Sequence, residues 1–161
     1  MYRIGQAEID SVDVAKALMA EAKLQGLRLN MTQLQKLLYI VYGTCLVMLG
    51  RRPFDEHAQA WPFGPVFPKT RRRLLNDVKN WDIEVCPATV PDDVKAIVSK
   101  VVRFFGSWTS GQLIEWTHVP GSPWDMTQKM PGFKWANEIG DGLITDYFKA
   151  KVIRRRANAS G

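Results

Sequence analysis

Three features of this chain could carry chemistry: a histidine flanked by hydroxyls, a lysine within an apolar run, and a row of three arginines. His118 follows Thr117 and precedes Ser122. A catalytic histidine needs a nucleophile or an acid within hydrogen-bond reach. Neither hydroxyl lies in a nucleophile elbow or another recognised setting. The alternative is an imidazole at a helix C-terminus that satisfies the carbonyls of the next turn. Lys36 is the one formal charge between Arg28 and Arg51. Its ammonium either snorkels to solvent along its stem or meets a fixed acceptor, such as a carbonyl in the turn around Gly64. Arg71-Arg72-Arg73, with a basic end at Lys149, Lys151 and Arg154–Arg156, could meet phosphates or an acidic protein surface.

Other chemistry has little footing. His57 and His118 are the only histidines and Cys45 and Cys86 the only cysteines, with no metal-ligand spacing among them. The phosphate-cradling and dinucleotide glycine patterns and the H-E-x-x-H zinc pattern are missing from the sequence. Asp92-Asp93 reads as the start of a helix rather than a carboxylate pair. No catalytic residue, metal or cofactor is expected. The 161 residues carry a net charge of +6. No acid follows Asp146, so residues 1–148 are nearly neutral and the excess lies at the end. The other reading of that end is a solvated, fraying terminus.

These groups need a scaffold. Thr32–Gly50 is apolar around almost its whole circumference, which places it in the middle of a globule or in a membrane. Its uncharged part, Leu37–Leu49, falls short of the roughly 20 apolar residues of a span. The first residues are acidic and have no apolar h-region, so no leader is expected. Unpaired cysteines then suggest the cytoplasm. The stripe Leu34, Leu37, Leu38, Val41, Cys45 and Met48 marks the inner face, and Thr32 with Gln35 matches a capping box.

Around this rod the pattern predicts a first helix capped by Asp10 or Ser11, with an inner stripe ending near Leu24. A connector with strand character runs over Phe54–Trp61, followed by a turn at Pro62–Val66. A third helix is expected within Phe67–Val78 and a short edge strand at Asp82–Val85. Pro91–Phe105 is the clearest helix, with Val94, Ile97, Val98, Val101, Phe104 and Phe105 inward. Thr109 and Gln112 repeat the capping-box spacing before a short helix to His118. A tight turn at Gly121–Trp124 and a last helix over Asp141–Val152 complete the reading. The fold class expected is mainly α. It is a compact single-domain bundle around a central buried helix at about residues 32–50, with at most short strands.

Three clusters occur in order: Lys36-Leu37-Leu38-Tyr39; Trp61 with Gly64-Pro65-Val66; and Leu113 with Thr117-His118, followed by Pro123-Trp124. Together they resemble the Panacea domain of SocA- and GepA-like antitoxins over roughly Val12 to Phe148. The resemblance implies a helical domain of bacterial or prophage origin, expected at residues 1–148; the basic tail at 149–161 is not part of the family pattern. It implies a non-enzymatic antitoxin that holds a co-encoded toxin inactive by direct binding. Partners of the family are varied and include alarmone-synthesising toxins and membrane-acting small proteins. Interfaces are anchored by Trp, Tyr and Arg, so Trp61, Arg71, Arg72, Arg73, Trp108 and Trp124 are the candidate partner contacts. The alternatives are a nucleic-acid-binding autoregulator acting through the basic clusters, or an adaptor that delivers a partner to a protease.

Overall fold

A computed structural model describes residues 9–81, 83 and 86–153. Seven α-helices, one hairpin and a π-helical segment are found among them. They are α1 (Ser11–Leu24), α2 (Met31–Met48), β1 (Gln59–Trp61), β2 (Gly64–Val66), α3 (Pro68–Asn80) and α4 (Asp92–Phe105). Then come α5 (Ser110–His118), α6 (Pro123–Gln128) and α7 (Asp141–Tyr147), which runs on into π-helical Phe148–Ile153.

The fold is mainly α, as expected, and α2 is its hub. Every residue from Leu34 to Gly43 is buried. Helices α1, α3, α4, α5 and α7, strand β2 and the π-helical segment all pack on it. The capping box sits two residues earlier than the sequence suggested. Asn30 Oδ1 accepts from the Gln33 amide and Gln33 Oε1 accepts from the Asn30 amide, each at 2.8 Å. Gln35, the expected capping partner, faces inward instead. Its Oε1 accepts from the Phe67 amide at 2.7 Å and its Nε2 donates to the Phe67 carbonyl at 3.2 Å. It pins the start of α3 to the hub.

The other elements follow from their ends. Asp10 caps α1 by accepting from the Val12 amide at 2.9 Å. Thr109 and Gln112 form the box expected for α5. The Gly121–Trp124 turn opens a further helix, α6, because Ser122 caps it and Pro123 is preset for its first turn. The chain around Met130–Ile139 runs beside β1, where Ala60 exchanges backbone hydrogen bonds with Ala136 and Asn137, and Ala58 accepts from Ile139. The expected Asp82–Val85 strand falls on residues outside the described set, except Ile83, which is in no regular element. The tail beyond Ile153 also lies outside it.

Three inner-stripe assignments need correction. Leu24 is exposed because α1 ends there, beyond the last residues packed on it. Met48 and Phe104 are 48% and 61% exposed. They sit at the ends of α2 and α4, where the two helices border an open groove instead of a third element.

Aromatic rings fill the joints. Tyr42, Phe54 and Phe67 pack edge to face or tilted at 5.1–5.6 Å. Phe148 meets Tyr39 at 5.6 Å and Trp116 at 6.0 Å. Gly43 lets the Phe148 ring lie directly on α2, since a Cβ there would come within 2.5 Å of ring carbons. Gly43→Ala is therefore expected to destabilise the fold by about 2–3 kcal/mol and to displace Phe148. Denaturant unfolding and the near-ultraviolet spectrum measure both effects.

Candidate functional site

The three sequence clusters meet at one point, the Gly64 turn. Trp61 and Gly64 pair across the hairpin, with Pro62 and Phe63 at its tip. Gly64 has φ +115°, a left-handed conformation that L side chains avoid. A Cβ at this position would lie 2.8 Å from Lys36 Cε, 2.8 Å from Thr117 Oγ1 and 3.4 Å from His118 Cε1. So α2 contributes the lysine, the hairpin contributes the glycine, and the C-terminus of α5 contributes the threonine and histidine.

Lys36 takes the fixed-acceptor option. It is 2% exposed, and its Nζ donates to the Pro65 carbonyl at 3.2 Å. Snorkelling is closed to it because the hairpin and α5 cover that side of α2. His118 acts as a strut with a carbonyl at each end. Nδ1 lies 2.8 Å from the Ile114 carbonyl and Nε2 lies 3.1 Å from the Pro62 carbonyl. Thr117 Oγ1 donates to Ile114 O at 2.8 Å and Ser122 Oγ donates to Thr117 O at 2.9 Å. Both neighbouring hydroxyls thus direct their protons to backbone carbonyls.

Trp124 closes the knot from α6. Its ring lies on His118 with centroids 3.7 Å apart, and its Nε1 donates to the Trp61 carbonyl at 2.8 Å. The turn before it is fixed by Asp125, whose Oδ2 accepts from the Gly121 amide at 2.9 Å. That bond, aided by Lys129, holds the Asp125 carboxyl below the usual carboxylate range.

The candidate contacts fall into three places. Trp61 is half-buried, with the Arg71 guanidinium 5.9 Å from its ring centre. Arg72 and Arg73 are exposed on the outer side of α3. Trp124 is buried beneath Trp135, which stacks on it at 6.2 Å and is 51% exposed. Trp108 stands apart, packed on Phe105 at 4.9 Å beside the groove between α2 and α4. Sequence reasoning missed Trp135 and Phe63, which is 70% exposed at the hairpin tip. A tryptophan in a stretch without periodicity was the available signal for Trp135. No group of His, Cys, Asp and Glu that could hold a metal ion occurs among the described residues.

Two outcomes follow from the geometry. Gly64→Ala combines backbone strain with contacts to Lys36 and Thr117, and is expected to cost about 3 kcal/mol. Lys36 also gives stability a pH dependence. Burial lowers its ammonium from 10.5 to about 8. Above pH 8 the folded chain releases this proton while the unfolded chain still holds it, so stability rises with pH up to about 10.5. Below pH 8 both states are protonated and the contribution is gone. The Cys45 thiol, pushed by burial from 9.0 up to about 12, acts in the opposite sense above pH 9. Between pH 8 and 9 Lys36 should contribute a gain of about 1 kcal/mol, and Lys36→Met should lose that gain. Parallel stability curves for the two proteins would contradict the assignment.

Residues 34–125, more than half of the chain, match the family described as Antitoxin SocA-like, Panacea domain. The chain is similar to Antitoxin SocA of Caulobacter vibrioides (strain NA1000 / CB15N). The two are 27% identical over 160 aligned positions, covering 90% of this chain and 85% of that protein. No solved structure gives a significant match. The matched segment contains all three motif clusters that converge on Gly64, and the chain belongs to the Panacea-domain family of SocA-like antitoxins.

Proposed function

We propose that this chain neutralises a toxin encoded beside it, in the cytoplasm, by binding the toxin directly and without catalytic turnover. Membership of an antitoxin family supports the class of function. The observation that carries the mode of action is the use made of the motif residues. Lys36, His118 and Trp124 direct polar atoms to the Pro65, Pro62 and Trp61 carbonyls around the Gly64 turn, and Thr117 bonds back into α5. A rigid scaffold with large side chains left exposed is the form of a binding partner. Trp, Tyr and Arg anchors on such a scaffold lose little freedom on association.

The test is growth. Expression of the neighbouring reading frame alone should arrest cells, and co-expression of this chain should restore growth. His118→Gln, checked for folding by circular dichroism, should restore growth equally well, because the histidine serves the scaffold and performs no reaction. A harmless neighbour, or a folded His118→Gln protein that fails to rescue, overturns the proposal.

A further inference from the structure

An unfilled apolar surface lies among residues other than those of the Gly64 knot. A groove of about 520 Å³ runs between α2 and α4 and is closed at one side by the π-helical segment. One wall is the row Ile40, Thr44 and Met48 on α2, and the other includes Val101 and Phe104 on α4, with Val152 at the end. The two most exposed of these, Met48 and Phe104, are the residues that broke the inner-stripe expectation. A hydrophobic stripe that continues past the core, onto a groove no other described element fills, is an unpartnered face.

Its charge identifies the occupant. Among the described residues Lys100 is the only ionisable one that lines the groove. Arg103 on α4 and Lys149 and Lys151 on the π-helical segment are exposed nearby along the same elements. Among the described residues none of these four cations has a carboxylate within ion-pair distance. Asp93, at the far end of α4, is engaged by Arg51 at 3.0 Å. An apolar trough with Lys100 in its wall and exposed cations next in sequence to its lining residues favours a segment that is apolar on one side and acidic at its edges. The α4 residues that line the groove run from Ile97 to Phe105, about 13 Å of wall, enough to seat about two turns of a helix.

Other occupants fit less well. A second copy would bring two cationic borders together. The sequence after Ile153, Arg-Arg-Arg-Ala-Asn-Ala-Ser-Gly, offers no large apolar side chain to fill the groove. An anionic membrane would match the charge, but bilayers take up protruding residues, whereas most of this apolar surface is concave.

We propose that this groove is where the toxin docks, through an amphipathic helix whose apolar face is flanked by Asp and Glu. The proposal rests on the neutraliser reading above. The test uses the purified product of the neighbouring reading frame as probe, with binding measured by calorimetry at low and high salt. Phe104→Glu and Met48→Glu alter exposed side chains and should leave the fold intact by circular dichroism. Each should weaken binding about tenfold or more and abolish growth rescue. Lys100→Glu should weaken binding several-fold and flatten its salt dependence. Trp135→Ala, at an exposed residue that does not line the groove, should bind as the parent does.

Each contrary outcome is decisive. If the parent binds and rescues but Phe104→Glu and Met48→Glu do so equally well, the groove assignment falls and the neutraliser reading stands. If the parent neither binds nor rescues, both fall. Groove-dependent association with phosphatidylglycerol vesicles, or a dimer that Phe104→Glu dissolves, while toxin binding is unchanged, assigns the groove to a membrane or to self-association and overturns the proposal.

Discussion

An ammonium group in the middle of an apolar helix has few places to go. Leaving such a charge unpaired in the interior costs several kcal/mol, whereas a hydrogen bond to a charged group returns about 1.5–3 kcal/mol. The Lys36 ammonium has one carbonyl in reach, that of Pro65, and the backbone around it is fixed as a consequence. Holding Pro65 there brings Gly64 against Thr117 and His118, and the close approach leaves no room for a side chain. Gln35, one residue earlier on α2, holds Phe67 by two further bonds. Adjacent polar residues on one buried helix thus set the course of the chain from β2 into α3.

This constraint separates scaffold from surface. Of the residues that make the family pattern recognisable, Lys36, Thr117 and Trp124 are buried, and their hydrogen bonds and those of His118 close on backbone carbonyls. Large apolar side chains outside that pattern, Phe63, Trp135, Met48 and Phe104, are the exposed ones. A domain built this way can keep one scaffold while its contacts vary.

Much of the fold was legible because α2 announces itself. A run with one charge and apolar residues on every face has no stable place except the centre. The ends of α1 and α5 were legible from Asp10 and from Thr109 with Gln112. The start of α2 was not, since Asn30 with Gln33 and Thr32 with Gln35 offer the same spacing. Only the position of Phe67 decides which glutamine turns inward. Met48 and Phe104 follow the periodicity of a buried stripe, but periodicity does not reveal whether another element covers it. The meeting of Lys36, Gly64 and His118 was legible as three separate motifs, while their convergence depends on tertiary packing. Trp135 and the α2–α4 groove had no local signature.

Lys36 and Gln35 make the hub and the Gly64 hairpin one cooperative unit. Native-state hydrogen exchange tests it most directly. The amides of Leu37–Tyr42 in α2 and those of Val66 and Phe67 should open with the same free energy, equal to that of global unfolding. Exchange of the hairpin amides through a separate opening of much lower free energy, with α2 still protected, would contradict it.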